Sequence, residues 1–237
     1  MPAALPGTLI GSGRNADVYD LGDGRVLRRY RDHRDTWRVA AEAEVMALAR
    51  AGGVPAPEVF DVSGADIVMA RATGPTMLNA IERRPWTAGA HARLLARLHG
   101  LVHQVPAARL AGLALRPRSG EVPPADTDVL LHMDLHPQNV ILTGNGPVII
   151  DWEGASGGPA IADIAMTWVI IGFSDIPGSR LKATAARGVQ SALTRAFVRE
   201  AGPIDESWRL TAIRRRLADP NVLPSELARL AKRASRG

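Results

Sequence analysis

His132-Met133-Asp134-Leu135-His136-Pro137-Gln138-Asn139, then an apolar run, then Asp151-Trp152-Glu153: this stretch decides how the chain is read. Asn139 lies five residues after Asp134, and Asp151 lies twelve after Asn139. Between them Val140-Ile141-Leu142 and Val148-Ile149-Ile150 are two short strand patterns joined by Gly144-Asn145-Gly146, a hairpin signal. Such a hairpin folds Asp151 back beside Asn139. A carboxylate and an amide oxygen are hard ligands suited to magnesium, which also keeps waters and phosphate oxygens. Asp134 then serves to orient and deprotonate an attacking hydroxyl. Asp134, Asn139 and Asp151 are thus the candidate catalytic residues, with Asn139 and Asp151 as metal ligands. The chemistry they suit is phosphoryl transfer from a nucleotide.

Working upstream, Leu9–Ile10 reads as the end of a strand, Asp17–Leu21 as a second strand, and Val26–Tyr30 as a third after an Asp23-Gly24 turn. Gly11-Ser12-Gly13-Arg14-Asn15-Ala16 is expected as the turn between the first two, small enough for backbone N–H groups to approach phosphates. Residues 36–51 switch to helical spacing, with Val39, Ala43, Met46 and Leu48 facing inward and Gly52-Gly53 ending the helix. Val59–Val62 and Ile67–Met69 complete a five-stranded sheet. Ala72-Thr73-Gly74-Pro75 reads as a linker, and the chain beyond it is mainly helical, with helices over about 77–82, 88–103, 159–173 and from about 178, 205 and 224. The expected fold class is α+β, in two lobes: residues 1–71 hold a small antiparallel sheet with one main helix, and residues 72–237 form the helical catalytic and substrate lobe.

These residues resemble the aminoglycoside phosphotransferase and choline kinase group, the small-molecule branch of the protein-kinase-like fold. His132–Asn139 is similar to that group's catalytic loop, in which His follows Asp-Leu, and Asp151-Trp152-Glu153 is similar to its metal-binding segment. Gly158-Pro159-Ala160-Ile161-Ala162-Asp163-Ile164-Ala165 resembles the segment that follows, where the resemblance implies a structural role for Asp163, bonding the catalytic-loop backbone. It implies ATP, possibly GTP, with magnesium as cofactors, and a nucleotide and a small molecule as partners. Cofactor-binding candidates are Gly11, Ser12, Gly13, Arg14, Asn15, Arg28, Glu44, Met69, Ala70 and Ala72. Kinases of this fold carry a lysine on the third strand, but both lysines here, Lys182 and Lys232, lie beyond residue 180. Arg28 is the expected substitute, with Arg29 on the opposite strand face. Glu44 is the expected partner of Arg28, with Glu42 solvated. The strand end at Met69–Ala72 is expected to line the adenine pocket.

Only twelve residues separate Asp151 from Asp163, too few for a long activation segment, so a small hydroxylated acceptor fits better than a protein. Aminoglycoside-like antibiotics, amino alcohols and sugars all remain open. Acidic candidates for a cationic acceptor are Asp126, Asp128, Glu153, Asp175, Asp205 and Glu206, and Trp152, Trp168 and Trp208 are candidate stacking surfaces. A kinase-fold nucleotide binder with little turnover is the alternative reading.

The 237 residues suit one large domain or two lobes. With no cysteine, disulfides and thiolate metal sites are excluded, and a zinc site of His and Asp has no evident spacing signature. The net charge of +5 is uneven: residues 180–237 hold 13 of the 29 basic residues but 5 of the 24 acidic ones. The Arg214-Arg215-Arg216 helix makes nucleic-acid binding a rival to the plainer expectation of a solvated helix face. The absence of a signal-like start or a membrane-length apolar run predicts a cytoplasmic protein with no membrane partner.

Overall fold

The computed structural model describes residues 7–13, 15–31, 36–111, 113, 128–174, 180–220 and 222–235, with the backbone alone for 180–185. Arg14, Asp126 and Asp175 fall outside these residues. The fold is two-lobed α+β. Five antiparallel strands, β1 (Thr8–Ser12), β2 (Ala16–Asp20), β3 (Arg25–Tyr30), β4 (Val59–Ser63) and β5 (Asp66–Ala70), form one sheet in the order β1-β2-β3-β5-β4. Helix α1 (Thr36–Ala51) lies between β3 and β4 in sequence and packs on the sheet.

Strand alternation explains which face does what. In β3, Val26 and Arg28 pair with Met69 and Ile67 of β5 and so share a face with them. Val26, Ile67 and Met69 are buried with Val39, Ala43 and Met46 of α1 in the main apolar core. Arg29 pairs in register with Asp66 and donates to both its oxygens (2.8 and 2.7 Å) on the opposite face.

The chain then enters the second lobe through α2 (Met77–Arg83) and α3 (Ala88–Val102). The segment between the lobes is tied down. Leu142 N–H donates to Pro75 O (2.9 Å), and Thr76 bridges Ile141. A Cβ on Gly74 would lie 2.1 Å from Leu142 O, so only glycine allows this approach. Thr76 caps α2 by accepting from Asn79 N–H (3.1 Å).

Strand β6 (Val129–Leu131) leads into the catalytic-loop segment and pairs with β9 (Ser156–Gly158). The hairpin of β7 (Val140–Thr143) and β8 (Gly146–Ile149) closes through Gly144 and Asn145. Helices α4 (Ala160–Phe173), α5 (Arg180–Ala201), α6 (Glu206–Leu217) and α7 (Pro224–Ala234) complete the lobe. The apolar residues of α4 are buried around its circumference, as a helix in the middle of a lobe requires. Among the described residues no helix is long and apolar enough to cross a membrane.

Candidate active site

The catalytic loop is held from both ends. Ile150 N–H donates to Asn139 O (2.9 Å), which brings the segment before Asp151 alongside Asn139. His132 accepts from Asp134 N–H at Nδ1 (3.3 Å), so its proton sits on Nε2 and is donated to Ile150 O (3.1 Å). Burial keeps this imidazole neutral, pushing its pKa below the ordinary histidine value despite nearby carboxylates. Its ring lies 4.6 Å from that of Trp152, whose Nε1 donates to Ile149 O (3.0 Å). Trp152 is therefore a buried brace.

Two residues of the site adopt a left-handed backbone, Met133 and Asp151, each at φ 66°. For non-glycine residues this costs about 1–2 kcal/mol each, so other contacts must hold them there. Asp163 holds Met133. Its Oδ1 accepts from Met133 N–H (2.7 Å) and its Oδ2 from His132 N–H (3.1 Å), the backbone role the sequence resemblance implied. Arg28 holds Asp151, with Nη2 donating to Oδ1 at 2.7 Å.

Asn139 donates its amide nitrogen to Asp134 O (2.9 Å) and Asp134 Oδ2 (3.1 Å). That commits the nitrogen and leaves the amide oxygen as the atom for a cation. The Asp151 side chain is 41% exposed, with one oxygen on Arg28. Two hard oxygen donors on adjoining segments, one buried on Asn139 and one open to water on Asp151, fit magnesium. Burial would raise the pKa of Asp134, but hydrogen bonding from His136, whose Nε2 is 3.5 Å from Oδ1, with the charge of Arg216 adding to it, holds it below the usual carboxylate value. Asp134 is thus an ionised acceptor at neutral pH. It suits orienting a hydroxyl better than storing a proton.

On the sheet side, Arg28 does face the cleft, but its partner is not Glu44. Arg28 Nη1 donates to Glu42 Oε1 at 2.7 Å, and Glu42 is 3% exposed, whereas Glu44 is exposed. The expectation for these two glutamates is reversed. Glu42 lies three residues after Val39, four before Met46 and seven before Ala49, all buried, which is the centre of the inward stripe of α1. That periodicity was available in the sequence, and the choice of Leu48 as an inward residue rotated the face. Tyr30, also missed, donates its hydroxyl to Glu42 Oε2. Burial pushes the Glu42 carboxyl up against the pull of Arg28. Burial alone would lower the pKa of Arg28, but Glu42 and Asp151 hold its guanidinium firmly charged.

The remaining cofactor candidates are partly brought together. Asn15 spans the lobes, its Nδ2 donating to both Glu153 oxygens (3.1 and 3.0 Å). Ser12 donates to Asp17 Oδ1 (2.7 Å) and accepts from Arg31 (2.6 Å). Gly11 and Gly13 line the β1–β2 turn, where an added Cβ would meet protein atoms at 3.7 and 3.4 Å. Met69 belongs to the main core, which accounts for its burial without a ligand. The Ala70 N–H is already given to Glu58 O (2.8 Å), and Ala72 follows just past the strand.

Fold and loop geometry define a class, the two-lobed protein-kinase-like kinases of small molecules. Within that class the chain belongs to the phosphotransferase enzyme family, whose profile matches residues 6–121 and 113–201. It is similar in fold to the aminoglycoside phosphotransferase APH(4)-Ia, with a TM-score of 0.62 at 16% identity, covering 96% of this chain and 91% of the other. A choline/ethanolamine kinase family protein from Mesorhizobium loti aligns with a TM-score of 0.52 at 19% identity, covering 100% and 89%. A curated relative, the thiamine kinase of Salmonella newport (strain SL254), is 46% identical over 39 residues, 16% of this chain and 14% of the relative's length.

Proposed function

We propose that the protein transfers the γ-phosphoryl group of ATP, with magnesium, to a hydroxyl of a small molecule. The observation that carries this is the convergence of Asp134, Asn139 and Asp151 on adjoining segments, with Arg28 bridging Asp151 and the buried Glu42. Asn139 and Asp151 would hold the metal, which neutralises charge on the phosphates. Arg28, steered by Glu42, would reach α- and β-phosphate oxygens with its guanidinium fork. Gly11 and Gly13 keep the β1–β2 turn free of side chains, although the Gly13 N–H is already given to Ala16 O (2.9 Å), and Asn15 follows the turn. For the base edge, the occupied Ala70 N–H moves the reading to the Ala70 carbonyl and to Ala72. Asp134 would accept a hydrogen bond from the acceptor hydroxyl and aim it at the phosphorus.

The acceptor is best read as a small amino alcohol or sugar. A polycationic antibiotic calls for unengaged acids around the loop. Of the candidates among the described residues, Asp205 caps α6 through Trp208 N–H (3.0 Å), Glu206 pairs with Arg233 (2.8 Å), Glu153 is held by Asn15, and Asp128 is buried. Trp152 and Trp168 are buried, while Trp208 borders a shallow depression with Met133, Met166, Thr211 and Arg215. Among the similar proteins, thiamine kinase and choline/ethanolamine kinase are named for small acceptors of this kind. Arg216 donates to Glu226 (2.8 Å) and Asp219 (3.1 Å), so it is spent internally and weighs against a nucleic-acid face.

A phosphoryl-transfer screen with ATP and magnesium over choline-like amino alcohols, thiamine, sugars, macrolides and aminoglycosides tests the reading. Turnover on an amino alcohol or sugar that falls by at least about 100-fold in Asp134→Asn supports it. Full turnover in Asp134→Asn would sink it. Binding of ATP with no transfer to any acceptor would favour the alternative, a nucleotide-binding protein of the same fold, for which the arginine in place of lysine is the motivating feature.

A further inference from the structure

We infer that His99, His103 and Asp163 form a second metal site, for a zinc-class transition metal, that is separate from the magnesium ligands and staples helices α3 and α4 to the catalytic loop. His99 and His103 stand four residues apart on α3 and its C-cap, so their rings lie on one face. Asp163 comes from the first turn of α4. His99 Nδ1 is 3.3 Å and His103 Nε2 3.0 Å from the same oxygen, Asp163 Oδ2, and the three donor atoms all lie within 4.8 Å of one another. Donors about 2.1 Å from a tetrahedral zinc ion sit about 3.4 Å from each other, so the cluster already has nearly the spacing of a ligand set.

The protonation of His99 supplies the independent argument. Thr167 donates its hydroxyl proton to Leu135 O (2.7 Å). The contact between His99 Nε2 and Thr167 Oγ1 (2.9 Å) must therefore be donated by the histidine. In the neutral ring this leaves Nδ1 with a lone pair. That atom is buried on a residue 1% exposed, has no hydrogen-bond partner, and faces a carboxylate oxygen. Two lone pairs turned toward each other in the interior are costly, and a cation between them, a metal ion or a proton on the ring, removes the conflict; titration with metal separates the two. The far side of the ring is arranged as metal-bound histidines commonly are. Nε2–H is fixed by a hydroxyl that relays to a backbone carbonyl, which sets the tautomer. Imidazole nitrogens select zinc-class ions over magnesium. The His103 side chain is 11% exposed, which lets water complete the coordination. In sequence only His99 and His103 lie near each other, and the third ligand is 60 residues away, so no spacing within one segment marks the set.

The site would act on the loop through Asp163, which receives the His132 and Met133 N–H groups and so ties the metal to the left-handed turn before Asp134.

The test uses the full-length protein freed of metal by a chelator and then titrated with Co2+ or Zn2+ without nucleotide. One Co2+ per chain with the visible absorption of a low-symmetry, nitrogen-containing site is expected, together with a rise in melting temperature that magnesium does not reproduce. His103→Gln should keep a hydrogen bond to Asp163, retain the fold by circular dichroism, and lose the cobalt spectrum. Asp151→Asn should keep it. Absence of bound Co2+ or Zn2+ in the unaltered protein would overturn the site, and so would a cobalt spectrum unchanged in His103→Gln.

Discussion

Glu42 and Met133 are the residues whose environment decides most at the site. Glu42 is buried and satisfies Arg28 and Tyr30 together, whereas Glu44 faces solvent. Removing one partner of a buried ion pair commonly costs about 3–5 kcal/mol. Asp151 still compensates Arg28, and a glutamine keeps a hydrogen bond, so Glu42→Gln should cost nearer 2 kcal/mol. It should also weaken ATP use at least about tenfold in kcat/KM by freeing the guanidinium. Glu44→Gln should move neither stability by more than about 0.5 kcal/mol nor the kinetics. Urea unfolding and steady-state kinetics on the two variants decide it, and equal effects would contradict the pairing. Met133 poses the opposite question, since glycine would relieve its left-handed backbone by about 1–2 kcal/mol. Its side chain, however, is 3% exposed among Trp168, Val169 and Ile213, and deleting such a group costs about 2–5 kcal/mol. Burial outweighs strain. Met133→Gly should lower stability by about 2 kcal/mol, within the range of about 0–4 that the two effects leave, and a more stable variant would show that strain dominates.

At the scale of elements, local patterns were legible and long-range partners were not. The hairpin turns at Asp23-Gly24 and Gly144-Asn145, the glycine-ended α1 and the alternation that turns Arg28 inward and Arg29 outward depend on residues near in sequence. All of them appear where their patterns put them. The helical phase of α1 was readable too: Val39, Ala43 and Met46 are buried as expected, and only the half-buried Leu48 drew the face away from the fully buried Val45 and Ala49. The His99–His103–Asp163 cluster and the contact of Asn15 with Glu153 join segments 60 and 138 residues apart. No periodicity within one element encodes such a contact. The segment at 72–75 is an intermediate case. Its composition reads as a linker, yet Gly74 and Pro75 pack against β7. Gly74→Ala must push its new methyl against Leu142 O or move the strand, which costs about 1–3 kcal/mol for an overpacked site. The expected result is a lower midpoint in urea with an unchanged slope. A wild-type midpoint would mean that the segment is free to shift.

At the scale of the whole molecule, side-chain hydrogen bonds among the described residues link the N-terminal lobe to the loops of the helical lobe, Arg28 to Asp151 and Asn15 to Glu153. Both lie where a nucleotide's phosphates and a metal ion would join the same elements, so ligand binding and the lobe-to-lobe connection are one thermodynamic problem. A ligand that binds only the folded chain at about 100 times its dissociation constant adds about 2.7 kcal/mol. For a chain of this size each kcal/mol raises the melting temperature by about 2–4 °C. ATP with magnesium should therefore raise it by about 5–10 °C, and ATP with a chelator by clearly less. Asp151→Asn separates the contributions. It removes the proposed metal ligand and weakens the pairing with Arg28, but the Asp151 side chain is 41% exposed, so the fold should persist. Differential scanning fluorimetry on that variant should show a residual nucleotide shift that no longer depends on magnesium. If magnesium still enhanced the shift, the ion would have to be held without Asp151, and the metal assignment at the lobe junction would fail.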